Sequence, residues 1–107
     1  MKTTKGECYL CKRWCNTEEH HIFEGTANRK ISEQEGLKVY LCPGCHRFIH
    51  AEPKSEVAIE LKKDAQRVFE SKFREEHKEY GNSVLMMARL EFRTLFGRSW
   101  LDMTEFL

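Results

Sequence analysis

No stretch of this sequence approaches the run of roughly 18 apolar residues that a membrane-crossing helix needs. The first dozen residues, "MKTTKGECYLCK", lack the apolar segment of a secretory signal. A cytoplasmic protein with reduced thiols and no membrane partner is therefore expected. A basic excess is missing too: net charge is +1 over 107 residues, where a protein that tracks phosphates usually carries more. There is no internal repeat and no low-complexity segment. What remains is 40% hydrophobic and 33% charged, which excludes a disordered chain and suits one modest globular domain over residues 1–107.

Cysteine is what the sequence does have. Cys8, Cys11, Cys15, Cys42 and Cys45 sit in a small chain expected to be reduced, so metal binding is favoured over disulfides. Cys8-x-x-Cys11 and Cys42-x-x-Cys45 form two knuckles, each able to offer two thiolates to one tetrahedral zinc ion. Such a site would clamp the base of an inserted hairpin, and its zinc would be linked to folding by about 10–16 kcal/mol. The alternative is that these cysteines are only small buried hydrophobes. Cys15 is spare: it is either a free thiol or a replacement for Cys11.

Residues 1–7 read as a loose tail and 8–19 as the first knuckle. Residues 20–24 and 37–42 read as strands, Val39 and Leu41 alternating with Lys38 and Tyr40. The polar segment 25–36 reads as a loop with one short helical turn capped by Ser32 and ended by Gly36. A short helix should follow Cys45 and stop before Pro53. Ser55 should cap a long helix bearing Val57, Leu61, Ala65, Val68, Phe69 and Phe73, with Gly81 as its stop. A second helix over about 83–96 carries Leu85, Ala88, Phe92, Leu95 and Phe96, after which Trp100 and Leu101 should fold back. The two apolar stripes read as core. Residues 8–52 thus form a knuckle-bearing α+β part and 53–107 a helical extension.

Histidines mark the candidate chemistry. In a strand, neighbouring side chains point to opposite faces, so His20 and His21 cannot be equal ligands of one ion. His46 and His50 are four apart, which on a helix places them on one face. With one histidine from the hairpin they would offer three neutral nitrogens with open positions left, the mark of a catalytic rather than a structural metal. A lone histidine of this kind is more often plain surface, and His77 reads that way.

The order Cys-x-x-Cys, His-His, Asn, Cys-x-x-Cys-His, then His four residues on, resembles the zinc-knuckle HNH endonucleases. The stretch "HHIFEGTANRKISEQEGLKVYLCPGCHRFIH", with "ELKKDAQRVFESKF" and "FRTLFGRSW", is similar to small phage and prophage HNH proteins. The resemblance implies an α+β protein with a ββα-metal core, a four-cysteine zinc knuckle and two C-terminal helices. It implies a metal-dependent DNA endonuclease acting in the host cytoplasm, with packaging or recombination proteins as partners. Under it His20, His46 and His50 hold a divalent ion (Mg, Mn, Ni, Co or Zn), and His21 is the general base. Asn28 is either the asparagine that orients His21 or a plain turn residue. Arg29 either contacts the phosphate backbone or braces the loop, and Lys30 and Arg47 are further DNA-binding candidates. A zinc-stabilised DNA- or protein-binding accessory that does not cleave is the competing expectation.

Overall fold

A computed structural model describes residues 3–102, 104 and 105. Three strands, β1 (Thr3–Glu7), β2 (Trp14–His21) and β3 (Lys38–Leu41), form one antiparallel sheet in the order β1-β2-β3. Four α-helices accompany it: α1 (Thr26–Glu35), α2 (Pro43–Ala51), α3 (Glu56–Glu76) and α4 (Val84–Phe96). The protein is thus a small α+β structure.

The expected loose tail pairs with the sheet instead. Thr3 to Glu7 run antiparallel to Glu18 through Trp14, while Met1 and Lys2 lie outside the described residues. The first knuckle is the turn of this hairpin. Cys8 N–H donates to Arg13 O at 2.8 Å and Lys12 N–H to Cys8 O at 2.9 Å. Lys12 takes a positive φ of 68° to close the turn, a conformation a non-glycine residue adopts only when its surroundings hold it there. Tyr9 N–H donates to Tyr40 O, fastening the turn to β3.

The strand expected over 20–24 begins earlier and ends at His21, with Ile22 and Phe23 passing directly into the core. Its partner register sets His20 opposite Val39 and His21 opposite Lys38. Segment 25–36 is not a loop with a single turn but the ten-residue α1. Ser32 sits buried inside this helix rather than capping it, and its carbonyl accepts from Leu37 N–H at 2.8 Å. Gly25 (φ 95°) and Gly36 (φ 71°) make the two sharp ends. α1 has few apolar residues, Ala27 and Ile31, so its packing more than its composition makes it helical.

α2 starts at Pro43, two residues before Cys45, with the Cys42 side chain accepting from Cys45 N–H as a cap. Ser55 caps α3 as expected, accepting from Ala58 N–H at 3.2 Å. α3 ends at Glu76, short of Gly81, and a 3₁₀ segment, Lys78–Ser83, carries the chain to α4.

Two adjoining apolar clusters hold the molecule. Ile22, Phe23 and Leu37 meet Leu61, Ala65, Phe69, Phe92 and Phe96, with Phe23 wedged 4.6 Å from Phe96 and 5.4 Å from Phe92 between ring centroids. Cys8, Leu41, Cys42, Ile49 and Ala58 form the second. Val57 and Val68, expected in the core, are exposed. Gln66 and Glu70 are buried in the α3 face instead. Glu70 pairs with Arg89 of α4 at 2.6 Å, both fully enclosed. Arg89 also donates to the carbonyls of Asp102 and Glu105, and Gln66 Oε1 accepts from Trp100 N–H at 2.7 Å. This polar network ties the chain end back over the helices, with Leu101 buried as expected.

Candidate metal centres

The hairpin turn and the N-terminus of α2 bring four sulfurs together. Cys8, Cys11, Cys42 and Cys45 each offer one Sγ, all within 4.8 Å of one another, and could hold a metal ion such as zinc. Cys11 Sγ and Cys42 Sγ lie 3.7 Å apart. A tetrahedron of Zn–S bonds of about 2.3 Å has edges of about 3.8 Å, so the spacing fits. Each knuckle turns a backbone N–H onto its first sulfur, Cys11 onto Cys8 at 3.5 Å and Cys45 onto Cys42 at 3.4 Å. Burial raises the Cys8 thiol, but the N–H groups around it prevail and hold it at about 6. The Cys45 N–H lowers Cys42 likewise. Cys45 is pushed up by burial and then by the neighbouring sulfurs. Four thiolates this close repel one another, and a cation removes that conflict. Cys15 stands on β2, half-buried against the second core cluster and outside the four-sulfur group.

The histidines gather beside it. His20, His46 and His50 each present a ring nitrogen within 4.8 Å of the others. Their ring centroids are 4.7–5.3 Å apart. His46 Nε2 and His50 Nε2 are separated by 3.1 Å. Two nitrogens bound tetrahedrally at about 2.05 Å would be about 3.3 Å apart. Burial, then the charges of His46 and His50, lower His20 to about 4, with smaller contributions from His21 and Lys62. Its ring is therefore neutral at physiological pH, the form a ligand needs.

Alternation along β2 divides the sequence Glu18-Glu19-His20-His21 between two faces. Glu18 goes with His20. Its Oε1 lies 2.8 Å from His46 Nδ1, so a neutral His46 donates Nδ1–H there and keeps its Nε2 lone pair for the cluster. Glu19 goes with His21. His21 Nε2 lies 2.8 Å from Glu33 Oε2 and 3.6 Å from Glu19 Oε1. Lys38 bridges the two carboxylates at 3.2 and 2.8 Å. The bonds from Lys38 and His21 hold Glu33 at about 2, and those carboxylates raise Lys38 to about 12.

Glu18, Glu19 and Glu33 are the participants that sequence reasoning missed. The run Glu18-Glu19-His20-His21 carried the signal for the first two: the alternation that separates the histidines separates the glutamates as well. Asn28 lies in the first turn of α1, and His21 makes its hydrogen bond and ion pairs with Glu33 and Glu19. Arg29 and Lys30 are exposed on α1 and Arg47 on α2. His77 is not near these clusters; it stacks on Phe73 and Tyr80 beyond the end of α3. Comparison with models of known families, with curated proteins and with solved structures finds no match to this chain.

Proposed function

We propose that this protein is a metal-dependent DNA endonuclease of the HNH type, built on a ββα-metal core of β2, β3 and α2. One observation carries the proposal: adjacent histidines at the end of β2 have different surroundings. His20 joins His46 and His50, whereas His21 joins two carboxylates. That is the division of labour expected of a ligand and a base.

A divalent ion held by His20, His46 and His50 would supply a Lewis acid for a phosphate oxygen. The chain's own residues do the rest. With Nε2–H donated to Glu33, His21 keeps its lone pair on Nδ1, ready to take a proton from water. Water attacks phosphorus as its proton passes to His21, the P–O3′ bond breaks, and the departing O3′ takes up a proton from solvent. Glu33 performs the orienting task expected of Asn28. Glu18 fixes the His46 ring. Arg29, Lys30 and Arg47 are the exposed cations that would meet the phosphate backbone.

The second proposal, a zinc-stabilised DNA- or protein-binding module without cleavage, draws on the Glu19–His21–Glu33–Lys38 network. Those four groups satisfy one another as a purely structural cluster would.

A metal titration of plasmid cleavage separates the two. His21→Ala should lower cleavage about 10²–10⁴-fold at every metal concentration, because general-base catalysis is lost. His20→Ala should weaken metal affinity and recover in part with excess ion. Absence of cleavage by the intact chain with all five candidate ions selects the binding module.

A further inference from the structure

Beyond the two clusters, the C-terminal segment and α3 enclose a groove of about 610 Å³ that includes Lys54, Lys62, Lys63, Arg98 and Trp100 in its walls. Two of its cations lie over one indole ring. Lys62 Nζ lies 4.7 Å from the centre of the Trp100 ring, and the Arg98 guanidinium carbon lies 3.8 Å from it. An indole face attracts cations without neutralising them. Among the described residues, Lys54, Lys62 and Arg98 pair with no carboxylate, while Lys63 is paired with Glu60 at 3.6 Å. Glu24, the one acid in the groove wall, leaves the balance positive. Trp100 is fixed in turn. Its ring packs on the main apolar cluster and its backbone N–H donates to Oε1 of buried Gln66. The groove thus sets exposed Lys54 and Arg98 and half-buried Lys62 around an indole that the interior holds in place.

Its position matters as well. Glu24 stands three residues beyond His21, and Pro53, also in the wall, three beyond His50. Both histidine-bearing elements therefore run into this groove. We infer that the groove binds the phosphodiester backbone of a DNA strand, with Lys54, Lys62 and Arg98 as the phosphate-binding groups and Trp100 as their rigid support. The inference rests on the nuclease proposal for its choice of polyanion, and it assigns DNA contact to the helical extension rather than only to Arg29, Lys30 and Arg47.

The test measures binding apart from cleavage. A labelled DNA duplex is titrated with the full chain in the absence of added divalent ion, in a Trp14→Phe background that leaves Trp100 as the only tryptophan. Duplex should shift Trp100 emission. The double variant Lys62→Ala/Arg98→Ala should bind at least about tenfold more weakly, and its salt dependence should flatten by roughly 0.9 in log–log slope for each phosphate no longer neutralised. Lys54→Glu, at an exposed position where folding is not at stake, should weaken binding in the same direction. Lys72→Ala/Lys78→Ala removes equal charge from cations paired elsewhere, with Glu35 and Glu75, and should bind like the intact chain.

Equal weakening by both double variants, unchanged Trp100 emission, or unchanged binding by Lys54→Glu overturns the inference. So does an equal emission shift with inorganic phosphate at the same phosphate concentration, which would make the groove a small-anion site. The nuclease proposal fails separately: binding through the groove with no cleavage under any divalent ion sinks it and leaves the groove standing. Undiminished cleavage efficiency in Lys62→Ala/Arg98→Ala does the reverse.

Discussion

The four-cysteine and three-histidine clusters stand side by side, yet they are built differently. The cysteines come in two tight turns, and each turn aims a backbone N–H at its own sulfur. Two sulfurs, Cys8 and Cys42, are buried and belong to the second apolar cluster. The histidines come from one strand and one helix, and their orientation depends on a side chain, Glu18. One of them, His50, is exposed. A four-sulfur set completes a tetrahedron and leaves no room for a further ligand, whereas three nitrogens leave a position open. Two ligand sets in one small fold can thus favour permanence in one place and exchange in the other.

The largest expected effect tests the permanent half. Cys42→Ser, or a strong chelator, should unfold or aggregate the protein, since structural zinc contributes about 10–16 kcal/mol of apparent folding energy. Metal analysis should find one zinc per chain in the intact protein. A folded, zinc-free sample would remove the contrast altogether.

Acid should act on the histidine half next. His20 is held at about 4 in the fold, against 6.5 for an ordinary imidazole. The unfolded chain therefore takes up the proton first. Stability is complete above about 6.5 and falls as pH drops towards about 4, by about 3 kcal/mol at about 1.4 kcal/mol per pKa unit. Urea melts across that window should be steeper in pH for the intact chain than for His20→Phe. Metal analysis at each pH separates loss of zinc from the titration of His20.

Glu18→Gln should weaken divalent-ion affinity at the histidines about 10–100-fold while the zinc content stays unchanged, because a carboxylate partner fixes the His46 tautomer. Isothermal titration reads the first quantity and metal analysis the second. The smallest effect concerns a helix cap. Ser55→Ala removes the α3 cap and should cost about 1 kcal/mol in a thermal melt, with neither cluster altered.

Much of the layout was legible because it rests on local rules. Cysteine spacing, the helical spacing of His46 and His50, the Ser55 cap and the stripe of α4 are all short-range patterns. What was not legible depends on partners far along the chain. β1 has no apolar face of its own and is a strand only because β2 is beside it. α1 is polar at most positions and gains its helix from Ser32 and Ile31 packing inward. Gln66 and Glu70 lie on the buried stripe of α3, but their polarity conceals it; only Arg89 and the returning chain end make their burial tolerable. Glu33 reaches His21 from twelve residues away by way of an unexpected helix. Such a pairing cannot be read before the helix is known.

Cys45 and His46 are neighbours on the first turn of α2, yet one belongs to the sulfur cluster and the other to the nitrogen cluster. No flexible residue separates them, so displacement of one side chain moves the backbone of the other. Two ions bound there would not be independent. By thermodynamic reciprocity, whatever factor zinc contributes to the affinity of the histidines, an ion at the histidines returns to the affinity for zinc. With ions in both clusters, this short peptide step would make each an effector of the other.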